Sequence, residues 1–147
     1  MKFNSSAYKK ADSILEQVIN AIKNKDKKAL MKLFSKKALS ETDDIENRIY
    51  YLFEFVEGIV ESWEIDKWSF AQSNNYGKKV TTLRAWYKVI TDRENYLFFL
   101  MTYTIDAENF DNVGLYALCV IKEDDEATQF TNWQDMMIAG IYKPNNK

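Results

Sequence analysis

The sequence contains no histidine. That removes the commonest general acid/base and the commonest imidazole ligand for metals, and it closes every Ser-His-Asp or Cys-His nucleophilic site. There is one cysteine, Cys119, so a disulfide framework or a zinc ribbon is excluded. Its place in the apolar run Leu115 to Ile121 reads as a buried small hydrophobe and not as a reactive thiol. One proline and four glycines leave no room for a long linker, a collagen-like repeat or a low-complexity tract. The glycines, Gly58, Gly77, Gly114 and Gly140, are far apart, so no phosphate-cradling loop is built from them. No apolar run approaches the roughly 20 residues of a membrane span. Met1 to Ser6 has no apolar core, which reads as no signal peptide in this chain. A cytoplasmic location follows if Met1 is the native start, and an extracytoplasmic one if a removed signal preceded it.

The 147 residues carry a net charge of −2, which argues against a nucleic-acid binder. Charge is uneven along the chain: residues 1–40 hold ten lysines against three carboxylates, and the remainder holds a carboxylate excess. The plain reading is a basic helical segment folded on an acidic remainder; the sharper one is a basic face for an anionic partner or a membrane surface.

Ala11, Ile14, Leu15, Val18, Ile19 and Ile22 recur at helical spacing and predict a first helix. Asp26 then caps a second helix whose apolar face is Ala29, Leu30, Leu33 and Phe34. Ser40 to Asp43 resembles a capping box opening a third, with Ile45, Ile49, Leu52, Phe53 and Val56 inward and Gly58 as terminator. From Ile59 the period becomes two. A strand over Ile59 to Phe70 is expected to bend between Ile65 and Trp68, where the alternation slips. After a turn at Ser73 to Gly77, a second strand covers Lys78 to Ile90, with Leu83, Ala85, Tyr87 and Val89 on one face. A third covers Tyr96 to Asp106 and is apolar on both faces, as in a central strand covered on both sides. Leu115 to Lys122 forms a fourth. In the tail, Thr131 to Ala139 fits a short helix and Gly140 to Pro144 a short extended edge. The expectation is α+β: three N-terminal helices packed on the concave face of a strongly curved antiparallel sheet, as one domain over residues 1–147.

The segments Ala11 to Leu15, Ala21 to Leu30 and Leu33 to Leu39, with Ser62-Trp63 and the late Gly140-Ile141-Tyr142-Lys143-Pro144, resemble the nuclear-transport-factor-two-like (cystatin-like) superfamily. Within it they are most similar to a group of small bacterial lipoprotein domains. The resemblance implies the cone-shaped fold and an extracytoplasmic home, and it brings no catalytic residues. Dehydratase members that use a histidine base are excluded. Isomerase members use an Asp base with Tyr and protonated Asp as oxyanion donors. Here Asp106 with Tyr87 or Tyr103 would have to meet in the cone; the plainer reading makes the tyrosines core rings and Asp106 a turn.

The remaining signal is aromatic, since 19 of the 22 rings lie from Tyr50 onward. The first functional reading is a non-catalytic binding domain for a small apolar ligand or a protein segment, with Trp63, Tyr87, Phe99, Met101 and Tyr103 lining the pocket. Arg84, Trp86 and Lys88, joined by Tyr96 and Phe98, are the candidate outer face of a homodimer. The second reading is a protein-interaction module, such as a toxin-neutralising immunity or inhibitor protein, presenting Asp106, Glu108, Asp111, Asp124 and Asp125. The third is the Asp/Tyr isomerase-like enzyme. Neither metal nor cofactor is expected: the loop from Asp106 lacks the glycine and glutamate of a calcium hand.

Overall fold

A computed structural model describes residues 5–126 and 137–144. Helix α1 (Ser5–Asn24) buries Ala11, Leu15, Val18 and Ala21, with Ile14 and Ile19 packed at the margins of that stripe. It ends in a Schellman turn. Lys25 is left-handed, its N–H donates to the Ile22 carbonyl, and the Asp26 N–H donates to that of Ala21. Asp26 then caps α2 (Lys27–Leu33) by accepting from the Ala29 N–H, as expected.

The structure next departs from the three-helix expectation. A short helix, α3 (Lys36–Glu41), stands where Ser40 to Asp43 was read as a cap, and its own cap is Ser35, which accepts from the Ala38 N–H. The reason lies far along the chain: Phe34 forms a parallel bridge with Leu115 and the Ser35 N–H donates to the Leu115 carbonyl, so the chain is held extended between two helical turns. Helix α4 (Ile45–Phe55) follows with Asp44 left-handed at its start and no side-chain cap bond there; Ile49, Leu52 and Phe53 are buried. No helix among the described residues is long and apolar enough to cross a membrane.

Five strands follow in spatial order β1-β2-β3-β4-β5: β1 (Val60–Asn75), β2 (Lys78–Thr91), β3 (Asn95–Asp106), β4 (Gly114–Lys122) and β5 (Gly140–Ile141). The first four form an antiparallel meander, β5 adds a short parallel edge, and the sheet is open. The fold is α+β, as expected. The register of β1 on β2 shifts between Ile65 and Lys67, where the sequence alternation slips, and again between Val60 and Ser62. Tyr76 and Gly77, both at positive φ, make the tight β1–β2 turn. The helix expected over Thr131 to Ala139 lies largely outside the described residues, whereas the extended edge after Gly140 is present.

One face of the sheet forms the main core with all four helices. Leu83, Ala85, Tyr87 and Val89 of β2 meet Tyr96, Phe98 and Leu100 of β3 and Leu118 and Val120 of β4. The C-terminal strand is clamped to this assembly by Arg48, whose Nη1 donates to the Ile141 carbonyl at 2.8 Å and whose Nε donates to that of Asp43 at 2.7 Å. Gly140 is required where it stands. Its φ is +84°, and a Cβ would collide with the Thr42 side chain. Gly77 has positive φ too, but open space around it. Gly140→Ala should therefore cost about 1–3 kcal/mol in urea unfolding, and more than Gly77→Ala, where only backbone strain is added.

Candidate ligand-binding cleft

The residues singled out from sequence fall on both sides of the sheet. Tyr87 lies opposite Phe98 and Trp86 opposite Phe99, so register places even and odd positions of β3 on different faces. Trp63 and Tyr87 face the helices, their rings 5.6 Å apart edge to face. Phe99, Met101 and Tyr103 do not join them; they cluster on the other face with Trp86, Ala117, Cys119 and Ile121. The candidate dimer face divides in the same way. Tyr96 and Phe98 are buried under the helices, which corrects their assignment to the outer surface beside Arg84, Trp86 and Lys88. Because β3 is apolar on both faces, its own pattern cannot say which set meets the helices; pairing with β2 decides it. The outer face is also not bare. Phe99 and Cys119 are fully buried, Met137 and Tyr142 pack on the cluster, Trp86 stacks obliquely on Phe99, and the Lys67 ammonium lies 5.1 Å over the Trp86 ring. Burial pushes the Cys119 thiol pKa up, which keeps it protonated and unreactive.

The tyrosine hydroxyls have structural partners. Tyr87 donates to Asp12 Oδ1 at 2.7 Å. Tyr96 donates to the Phe55 carbonyl at 3.0 Å and accepts from the Glu57 N–H at 2.8 Å. Asp106 is spent on its own turn, accepting from the Glu108 and Asn109 N–H groups and from Asn112 Nδ2. It sits eight positions along β3 from Phe98, the partner of Tyr87, which is roughly 26 Å at a strand's rise. Tyr103 is on the opposite face, ringed with Tyr116. The Asp/Tyr acid–base arrangement is therefore not assembled from these residues.

The acidic candidates are likewise divided and largely engaged. Glu108 faces Lys78 at 3.6 Å and Asp111 faces Lys36 at 3.8 Å. Asp124 and Asp125 lie beyond the far end of β4, a nine-residue strand from the Asp106 loop. Among the described residues no three acidic or thiol groups converge as a cation would require.

A cleft of about 1150 Å³ lies between the C-terminal half of α1, the end of α4 and the start of β1. Ile19, Ile22, Phe53, Val56, Trp63 and Phe98 form its apolar lining; Glu16, Asn20, Lys23, Glu54, Glu57, Glu61 and Arg93 supply polar groups. Of the five pocket candidates, only Trp63 lines it. Apolar periodicity marks Ile19, Ile22, Phe53 and Val56 as inward without marking a cleft, and it passes over the polar rim, which is made by the outward positions of α1 and α4.

That connection, residues 56–59, is laced to the β2–β3 turn. Thr91 Oγ1 donates to the Glu57 carbonyl at 2.8 Å, Asp92 Oδ1 accepts from the Ile59 N–H at 2.7 Å, and the Asp92 N–H donates to the Ile59 carbonyl. Gly58, at φ +92°, packs against Asp92 and Thr91 too closely for any Cβ. Across the cleft Lys25 Nζ donates to the Phe53 carbonyl at 3.3 Å, joining α1 to the end of α4. The walls are thus held by hydrogen bonds before any ligand arrives.

Tyr96→Phe should expose the importance of this lacing. It leaves the Glu57 N–H without its acceptor, at about 1–3 kcal/mol in denaturant titration, with faster amide exchange at Glu57. A second expectation concerns acid. Lys37 and then Tyr116 hold the Glu41 carboxyl below its ordinary 4.5, and Asn112 leads the groups that hold Asp106 below 3.8. A carboxyl with a lowered folded-state pKa contributes stability above its unfolded value and loses it as pH falls through the folded one. Unfolding free energy should therefore decline as pH drops below those values, and the Glu41→Gln, Asp106→Asn double variant should show a shallower acid limb.

A comparison with curated proteins gives no match. Residues 17–123, well over half of the chain, match the family described as "Domain of unknown function (DUF5104)". They take in α1 from Gln17 onward, the other helices, β1 to β4 and with them the cleft's lining residues apart from Glu16, so the chain belongs to this family.

Proposed function

We propose that the protein is a non-catalytic binding domain and that its ligand occupies the cleft between α1 and the α4–β1 connection. The order of helices then open sheet is compatible with the nuclear-transport-factor-two-like (cystatin-like) fold, and we read residues 1–147 as one domain of that kind. The observation that carries the binding reading is the cleft itself. At about 1150 Å³ it is somewhat larger than the roughly 300–1,000 Å³ of small-ligand sites, and it combines an apolar floor with a charged rim. Such a lining suits an amphipathic occupant: an apolar body against Phe53, Val56 and Trp63, and polar ends at the rim. A purely apolar ligand would leave the rim carboxylates desolvated without partners.

The test uses Nile red, an uncharged fluorescent probe with an apolar body and polar ends. It should bind the native protein with enhanced fluorescence. Ile19→Lys, which puts a charge on the floor from a half-buried position, should weaken binding at least fivefold while circular dichroism shows the fold retained. Phe110→Ser, at an exposed residue on the η1 turn (Phe110–Asn112) outside the cleft, should leave binding unchanged. Binding insensitive to Ile19→Lys, or no native-state binding, would count against the cleft.

A further inference from the structure

Resting on that reading, we propose that the cleft's occupant is an extended peptide segment carrying a basic side chain, added as a strand to the open edge of β1. Side chains alternate along a strand, so a pocket lying on one face of a sheet touches every second residue. Here four consecutive residues, Val60, Glu61, Ser62 and Trp63, all line the cleft. The cleft therefore looks onto the edge of the strand, where the backbone is presented. β1 is the first strand in the sheet and pairs on one side only, with β2. Among the described residues no backbone bond reaches the other side of residues 60–63. The ladder is also interrupted there, since the register shift between Val60 and Ser62 leaves Glu61 outside the pairing. Bulges of this kind concentrate beside binding sites, where they re-aim the chain.

An open row of N–H and C=O groups at the wall of a concavity has one natural complement: a second backbone at strand spacing. About four residues of β1 are available, roughly 13 Å at a strand's rise, so the occupant is a short segment. The charge of the rim sets its composition. Glu16, Glu54, Glu57 and Glu61 make no ion pair among the described residues. Against these four stand Lys23, Lys25 and Arg93, Lys25 keeping its charge while it donates to the Phe53 carbonyl, so the lining carries one carboxylate in excess. The excess of carboxylates favours a lysine or arginine in the segment.

The experiment selects a random dodecapeptide display library on the full chain and titrates the best peptide into 15N-labelled protein. Enrichment of basic peptides is expected, with amide exchange at Val60 to Trp63 slowed at least tenfold on binding. N-methylation of alternate amides in the peptide should abolish binding, which side-chain recognition alone would not require. Glu54→Lys with Glu61→Lys, checked for fold by circular dichroism, should weaken binding at least tenfold. A selected peptide that leaves residues 60–63 unprotected, or tolerates N-methylation at every position, overturns strand addition. Nile red bound in the cleft with no peptide enriched overturns the peptide inference and leaves the binding reading standing; absence of both overturns the two together.

Discussion

Burial of β3 on both faces organises the molecule. Seven consecutive residues, Tyr96 to Thr102, are buried, and β4 beside it buries Ala117 to Ile121. A strand in that position needs cover twice. The four helices provide it for Tyr96, Phe98 and Leu100; Met137 and Tyr142 pack on the cluster that holds Leu97, Phe99 and Met101. Once β3 and β4 are central, the long strand β1 lies at an edge, and its first residues diverge from the helices far enough to open the cleft. The binding feature is thus a boundary effect of the core.

The aromatic content has a structural use beyond volume. Three tyrosines of the sheet each carry a hydroxyl to a different helix: Tyr87 to Asp12 of α1, Tyr96 to the carboxyl end of α4, and Tyr116 to Glu41 of α3 at 2.6 Å. The Tyr96 bond is worth about 1 kcal/mol net, and each of the three ties a helix to the sheet at a fixed point. The Tyr116 hydroxyl, beside the Glu41 carboxylate, has its pKa pushed up to about 12, so it remains a donor throughout the neutral range. The Tyr96 bond matters most for the cleft, since it ends α4 and starts the connection that forms one wall.

Much of this was legible in the residues. The stripe of α1, the Asp26 cap, the bend after Ile65 and the two-faced apolar pattern of β3 were each readable because one local interaction dominates them. What failed did so for identifiable reasons. Helix α3 has a local cap in Ser35, but the break before it depends on a bridge between Phe34 and Leu115, 81 positions apart in the chain, which no local signal encodes. Phe99 and Met101 were grouped with Tyr87 because a strand apolar on both faces carries no parity label. The cleft escaped because its rim consists of ordinary outward-facing helix residues, Glu16, Asn20 and Lys23, which periodicity reads as solvated surface. Only Trp63 was common to the expected and observed pockets.

The assignment of alternate β3 residues to opposite faces is the claim on which the core, the covered outer cluster and the placement of the cleft all stand. Nuclear Overhauser contacts from the Phe98 and Phe99 rings, in protein with selectively labelled methyl groups, test it most directly. The account requires Phe98 to contact methyls of the helical core such as those of Leu15, Leu30, Ile49 or Leu52, and Phe99 to contact Trp86 and no helix methyl. Contacts from Phe99 to α1 or α4 would reverse the faces and contradict it.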